Sequence, residues 1–406
     1  MIKKLVFDNF KCLSNKEFNL SKINFFTGYN GRGKSSVIQS LILLSQSTRK
    51  DDANGIEYLH VNGNFIQLGD FYELLANEDE YGFVMEMDLL NGSEHKVKLG
   101  YEMTDDFKVG RLNTCIIDGT DWFDIPGTNP SEFTKKGDYN KRELTKLPNF
   151  LNEQFLPHNV HYVAADRIGP VKFVEKEEKP DFYYVGSNGS KTINILSTYA
   201  DTIDPRMNVN VDDKVSHTLE ESVTAWVQEI MHGGSVSVKG TDKTSKEKFN
   251  KRDTSAVLEL GFGLGERTFN SYNVGFGYSY ILSIVVTTLI AKEGNIVIIE
   301  NPEAHLHPEA QVRLTYLLAK LASRNVQVFV ETHSEHVING IRLAVLKQEY
   351  KLDNEDVKIF FFDHDYSKID LVIKKNGRIP NWPERFFDQY QHELAEIMKL
   401  GANVKE

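Results

Sequence analysis

A lysine and two serines close the glycine-rich stretch Gly28-Tyr29-Asn30-Gly31-Arg32-Gly33-Lys34-Ser35-Ser36, which lies between a short apolar run at residues 23–26 and a helical pattern at 37–44. The G-x-x-x-x-G-K-S spacing, in a strand, loop and helix setting, is that of a phosphate-binding loop. Its glycines let backbone N–H groups converge on phosphate oxygens, and the following helix points its positive end at the same anion. Asn30, Gly31 and Gly33 would form the cradle and Lys34 would neutralise the β- and γ-phosphates. Ser35 would hold Mg²⁺, with Ser36 beside it. The implied ligand is a nucleotide with Mg²⁺.

Two further polar clusters follow apolar runs. Residues 295–299 lead straight into Glu300-Asn301-Pro302-Glu303. Carboxylates are thereby placed at a strand's C-terminal end, where open α/β sheets bind ligands. Glu300 can orient the metal ion, while Asn301 and Glu303 stand where a side chain positions the attacking water. The run at 326–330 leads into Glu331-Thr332-His333-Ser334, so His333 is a candidate sensor of the γ-phosphate. An amide such as Asn301 cannot take a proton from water. Either Glu303 or His333 helps, or hydrolysis is slow.

With these sites, the chain resembles the ABC-type ATPase heads of the SMC and recombination-repair class. More closely, it resembles AAA-type predicted bacterial ATPases related to the OLD (overcoming lysogenization defect) family. Its opening, Ile2-Lys3-Lys4-Leu5-Val6-Phe7-Asp8-Asn9-Phe10-Lys11, is similar to that class's first strand, and Glu300 to Pro308 is similar to its D/E-x-P-E-x-x-L-H-P box. Thr332-His333-Ser334 matches its switch-histidine motif. His161 to Pro170 is similar to an internal Y-x-x-A-D-R-x-G-P segment of one subgroup, and Gly377 to Asp388 resembles that subgroup's short C-terminal domain of unknown function.

The resemblance implies an α/β fold, a P-loop NTPase of ABC-ATPase head type with a mixed inserted lobe and a short C-terminal extension. It also implies a signature motif that caps the ATP of an opposite subunit. Asn273-Val274-Gly275-Phe276-Gly277-Tyr278-Ser279 stands in that place and opens an apolar helix at 281–291, but Val274 replaces the usual serine. The backbone N–H groups of Gly275 and Gly277, with Ser279, are left for that contact. Members of the group occur in bacterial defence or stress operons with a separate effector.

Composition bounds the rest. A chain of 406 residues can bury a large core. It has no apolar run of about eighteen residues, the length that would suggest a membrane span. No secretory leader is evident, and Cys12 and Cys115 lack metal spacing, so a cytoplasmic location is expected. The net charge of -11 disfavours broad nucleic-acid binding while leaving room for a local patch. Lys239, Lys243, Lys246, Lys248, Lys251 and Arg252 read as a solvated loop or as a phosphate-contacting arm.

The expected division is residues 1–75 and 255–375 as two parts of one ATPase domain, 76–254 as an inserted lobe, and 376–406 as the C-terminal domain. Strands are expected at 83–90, 96–103 and 112–117, and a helix at 219–231. Glu303-x-His305-x-His307 could be a metal set or simply the entry to the next helix. Asp363-His364-Asp365, after an apolar run at 360–362, could be a strand-end turn or, combined with Glu331, part of a Toprim-like nuclease cluster, although too little chain follows for a Toprim domain and Glu331 already belongs to the switch segment.

The leading expectation is a nucleotide-gated switch or scaffold, a head-to-head homodimer or higher oligomer that binds ATP and hydrolyses it slowly. It would serve a separately encoded effector such as a nuclease, in anti-phage defence or stress response. The alternatives are an ATP-gated DNA-processing enzyme and a binding module with negligible hydrolysis.

Overall fold

The computed structural model describes residues 1–48, 55–77, 79–123, 148–171, 173–181, 183–202, 218–241, 248–249, 257–265, 267–384 and 386–401. Its centre is a six-stranded sheet. Numbered along the chain, these strands are β3 (Ile23–Gly28), β9 (Val160–Val163), β15 (Ile296–Glu300), β16 (Gln327–Glu331), β17 (Val357–Phe362) and β18 (Lys368–Leu371). Their order is β18-β17-β3-β16-β15-β9, parallel throughout except for β18. Parallel strands buried on both faces read as near-continuous apolar runs, as residues 296–299 and 328–330 do.

The two faces of this sheet serve two cores, and the period of two decides which residue goes where. Val297, Ile299, Val328, Val330, Ile359 and Phe361 enter one core. Ile296, Ile298, Phe329, Phe360 and Phe362 enter the other. Helix α1 (Lys34–Ser47) lies in this second core and is buried nearly all round. An antiparallel sheet covers it, built from β1 (Ile2–Asp8), β2 (Lys16–Asn19), β4 (Tyr58–His60), β5 (Gly82–Asn91), β6 (Ser93–Met103), β7 (Val109–Ile117) and β8 (Thr120–Asp121). Helix α2 (Asn149–Phe155) adds Leu151 and Phe155 to the same core.

The first core is helical. It takes α3 (Thr192–Tyr199), α4 (Leu219–Met231), α5 (Phe276–Ile290), α6 (Pro308–Ala322) and α7 (Glu335–Leu346). A second antiparallel sheet lies against it, formed by β10 (Val174–Glu175), β11 (Ser235–Thr241), β12 (Lys248–Phe249), β13 (Val257–Leu264) and β14 (Arg267–Asn270). Helix α4 occupies the expected 219–231 and starts with a capping box, Thr218 accepting from the Glu221 N–H while Glu221 accepts from that of Thr218. Helix α8 (Gln389–Gly401) keeps Tyr390, Leu394, Ile397 and Met398 exposed. Among the described residues no helix is long and apolar enough to cross a membrane.

Residues 76–254, expected as one inserted lobe, are divided among all three sheets. β5, β6 and β7 form the three expected strands, but β5 pairs in register with β1, so this region completes the N-terminal sheet. β9 is an edge of the central sheet. Within the expected C-terminal domain, Ile379 and Phe386 belong to the helical core. Of the basic stretch, Lys239 lies in β11 and Lys248 in β12, while Lys243, Lys246, Lys251 and Arg252 fall outside the described residues.

Gln327 joins the first strand to the central sheet. Its buried side chain accepts from the Ile2 N–H at 2.8 Å and donates to the Ile2 carbonyl at 2.6 Å and the Ser21 carbonyl at 3.0 Å. Gln327→Leu keeps much of the volume but strands those backbone groups. It is expected to lower unfolding stability by roughly 2–4 kcal/mol in denaturant titrations, and a variant as stable as the parent would contradict this role.

Candidate nucleotide-binding site

β3 ends at Gly28, and the loop turns into α1 through Gly33, whose φ of 110° belongs to the left-handed region. A Cβ there would lie 2.8 Å from Leu13 Cδ2 and 2.9 Å from Cys12 Sγ, so the loop can settle on this neighbour only with glycine. Asn30 and Gly31 are exposed at the loop's tip, while Ser36 turns inward. Lys34 is buried and its ammonium donates to the carbonyls of Gly28 at 3.0 Å and Tyr29 at 2.7 Å, inside its own loop. Burial lowers its pKa, against the opposing pull of Glu331.

Ser35 opens α1 and its hydroxyl donates to Glu331 Oε1 at 3.0 Å. Register explains the meeting. Glu331 pairs with Glu300 on one side and Phe26 on the other, so the three strand ends lie abreast. Alternation places Glu300, two residues after Ile298, and Glu331, two after Phe329, on the α1 side of the sheet. In-register neighbours in a sheet are about 5 Å apart.

Burial holds the Glu331 carboxyl at about 7, and the nearby Glu300 charge adds to that rise. Glu300 is raised too, chiefly by burial, while the Ala165 N–H at 3.2 Å and the Tyr162 hydroxyl pull the other way.

The turn after β15 is unusual in backbone terms. Asn301 sits at φ 44°, with its N–H on the Glu331 carbonyl at 2.8 Å and its side-chain Oδ1 buried without a hydrogen-bond partner. Arg167 braces it from below. Its buried guanidinium donates to the carbonyls of Ala164 at 3.0 Å, Glu300 at 2.6 Å and Asn301 at 2.7 Å. Glu303 spends both oxygens on the switch segment, accepting from the Thr332 hydroxyl at 2.8 Å and the His333 N–H at 2.7 Å. His333 is exposed, and burial of its ring, with the Lys34 charge second, lowers its pKa so that the neutral imidazole is favoured.

The two glycines of the expected signature face opposite ways. Gly275, the N-cap of α5, is exposed and a Cβ there would meet nothing within 4 Å. Gly277 is buried, and a Cβ would lie 2.9 Å from the His305 carbonyl. Ser279 Oγ is buried without a partner. Tyr280 of the same helix lies 5.4 Å from the Arg167 guanidinium and 4.5 Å from the His305 ring. Helix α5 and the loop that follows Glu300 are thus in contact within one chain.

The other candidate sets separate. Glu303 faces the switch, His305 packs on Tyr280 and Phe276, and His307 caps α6 by accepting from the Glu309 N–H at 3.4 Å. Asp363, His364 and Asp365 form the exposed turn between β17 and β18, with possible ligand atoms within 4.8 Å of one another. The sequence marks Arg167 only as part of the segment at 161–170, and Glu331 only as the head of the switch segment and a candidate member of an acidic nuclease cluster. Glu331 closes β16, and Arg167 stands in the loop that leaves the end of β9, which is the available signal.

A charged Glu331 is disfavoured in the folded protein relative to the unfolded chain. Its usual value is near 4.5 and its folded value about 7. The folded state therefore binds the extra proton between these pH values, and stability falls as pH rises through that window. In metal-free buffer, Glu331→Gln is expected to be more stable than the parent at about pH 8, with the advantage vanishing below about pH 4.5. Chemical denaturation across pH checks this, and a pH-independent difference between the two proteins would contradict it.

A family profile described as "AAA ATPase domain" matches residues 138–338, one described as "AAA domain" matches 4–182, and "Protein of unknown function (DUF3696)" matches 352–397. No curated protein matches the chain. Among solved structures, an Smc head bound to the C-winged helix domain of ScpA is similar at 13% identity and TM-score 0.52, over 92% of this chain and 99% of that one. An Smc head domain with an extended coiled coil, bound to the C-terminal domain of ScpA from Pyrococcus furiosus, is similar at 12% identity and TM-score 0.50, over 98% of this chain and 99% of that one. The phosphate loop, the order of the central sheet and these likenesses agree: the chain has the P-loop fold of ABC-ATPase heads, and two overlapping segments of it match AAA-type ATPase domain profiles.

Proposed function

We propose that the protein is an ATP-binding, slowly hydrolysing switch that pairs head to head with a second copy, each nucleotide lying between the Lys34 loop of one subunit and the start of α5 in the other. The observation that carries this reading is the open N-terminus of α5. Gly275 is exposed, no side chain caps the helix, and Phe276 beside it is 55% exposed. A helix start leaves backbone N–H groups unsatisfied and favours an anion. The AAA-domain matches support ATP as that anion.

Within one subunit, Asn30, Gly31 and Gly33 would cradle the phosphates and Lys34 would exchange loop carbonyls for phosphate oxygens. Ser35 and Glu300 are hard oxygen donors at one end of the sheet and fit Mg²⁺. The metal would supply charge neutralisation of the transferring phosphoryl group. Asn301 can orient water but cannot deprotonate it, and both Glu303 oxygens already hold the switch. His333, neutral and exposed, is the remaining proton acceptor at the mouth, a composition that favours slow turnover and long-lived closure.

Contacts of α5 with His305 and Arg167 support coupling of closure to the turn at Glu300 and Asn301. The resemblance to ATPases of defence and stress operons supports a separate effector as the partner, and the similar Smc heads bind a partner protein.

Lys34→Ala is expected to remove the thermal stabilisation conferred by Mg-ATP while leaving the fold intact, and an undiminished shift would sink the nucleotide assignment. Gly275 has ordinary φ and open space, so Gly275→Asp should fold normally and bind ATP in each subunit. The new charge would face the partner's γ-phosphate. Small-angle scattering with a slowly hydrolysed ATP analogue should show loss of nucleotide-driven association or compaction, and a variant that closes like the parent would refute the pairing.

A further inference from the structure

Two carboxylates, the buried Glu331 and the part-buried Glu300, end neighbouring strands beside the phosphate loop, and among the described residues neither has a cationic side chain within ion-pair distance. Lys34 spends its ammonium on the carbonyls of Gly28 and Tyr29. Arg167 reaches the main-chain carbonyl of Glu300, not its carboxylate. Glu331 is only 7% exposed. One of its oxygens accepts from Ser35, and the other, Oε2, is buried without any hydrogen-bond partner. A buried carboxylate oxygen left unmet is costly, and such groups are normally paired or bound to metal.

Position strengthens the case. Glu331 lies between the strand that feeds the phosphate loop and the strand that ends in Glu300, in register with both. It shares the α1 face of the sheet with Glu300 and already holds the hydroxyl of Ser35. Three hard oxygen donors from three elements therefore converge beside the place where the β- and γ-phosphates would sit. A site with this donor set suits Mg²⁺ or Mn²⁺, whereas one carrying two carboxylates and no cation repels a polyphosphate.

We propose that Glu331 is a direct ligand of the divalent cation that accompanies the nucleotide, and that through it the site admits ATP only with the metal. This rests on the phosphate-loop reading. Metal-free ATP faces the Glu300 and Glu331 carboxylates with no metal charge between them. Metal-bound ATP brings the charge that satisfies Glu331 Oε2 and Glu300 together, while Ser35, still donating its hydroxyl to Glu331 Oε1, offers a lone pair to the ion. The carboxylate thus sets discrimination between the two forms of the ligand, apart from any part in hydrolysis.

The test is equilibrium binding of a fluorescent ATP analogue to the full chain, with Mg²⁺ and with EDTA, together with Mn²⁺ titration of the nucleotide complex followed by electron paramagnetic resonance. Glu331→Gln keeps an oxygen for the Ser35 hydroxyl but removes the charge. The ratio of metal-free to Mg²⁺ dissociation constants is expected to fall at least about tenfold in this variant, because metal-free ATP binds more tightly and Mg-ATP more weakly, and Mn²⁺ affinity is expected to fall by a similar factor. Glu331→Asp retains the charge and is expected to keep a larger ratio than the glutamine variant. A ratio and a Mn²⁺ affinity unchanged in Glu331→Gln would overturn the proposal, as would equal loss of binding with and without metal. A parent protein that binds the analogue under neither condition would instead overturn the phosphate-loop reading itself.

Discussion

The hydrogen-bonded register of β16 between β15 and β3 is the constraint on which the site depends. Each of these strands ends in a residue that means little alone: the last turn before the phosphate loop, Glu300, and Glu331. Parallel pairing brings the ends abreast, and two-residue alternation turns both acids toward α1. A slip of one residue in β16 would send Glu331 to the helical core and expose Phe329 to the wrong neighbours. The apolar alternation that excludes such a slip is thus also what positions the chemistry. Stacking of Phe329 on Phe26, at 6.3 Å between ring centres, reinforces the same register.

A second dependence runs through the helical core. Gly277 lets α5 approach the backbone of the loop after Glu303, and Tyr280 lies between His305 and Arg167. Arg167 in turn holds the carbonyls of Glu300 and Asn301. These are packed contacts with little slack, since interiors are as dense as organic crystals. A change in how α5 sits is therefore felt at the Asn301 turn, which is a physical basis for linking events at an outer surface to the carboxylate edge of the central sheet.

Local pattern made much of this legible in the sequence. The phosphate loop declares itself through glycine spacing, the helix at 219–231 through apolar periodicity, and β15 and β16 through short apolar runs that end in polar clusters. Longer-range facts were hidden because nothing local encodes them. That β5 pairs with β1 is decided by which apolar faces meet across some eighty residues of chain, so residues 76–254 read as one insertion although β5 to β8 complete an N-terminal sheet and β9 to β12 join the other two sheets. Glu331 looked like the first residue of a switch motif because its partners, Ser35 and Glu300, come from other strands and helices. Arg167 was visible within a motif, yet its work is done on backbone carbonyls, which leave no trace in residue type.

Sequence separation in the central sheet has a consequence for how the chain is made. β1, β2 and β5 to β7 all lie within the first 117 residues and can pair early. β3 cannot, because both of its neighbours, β16 and β17, lie more than 300 residues further on, with Val328 and Val357 each opposite Ile23. At a synthesis rate of ~5–20 residues per second, Ile23 to Phe26 wait on the order of fifteen to sixty seconds before a partner strand exists. During that interval an apolar segment with two open edges is a template for wrong pairing. Nucleotide can offer no help until the sheet closes, so the order of assembly places the burden of protecting β3 on α1, on the early antiparallel sheet, and on whatever chaperones meet the emerging chain.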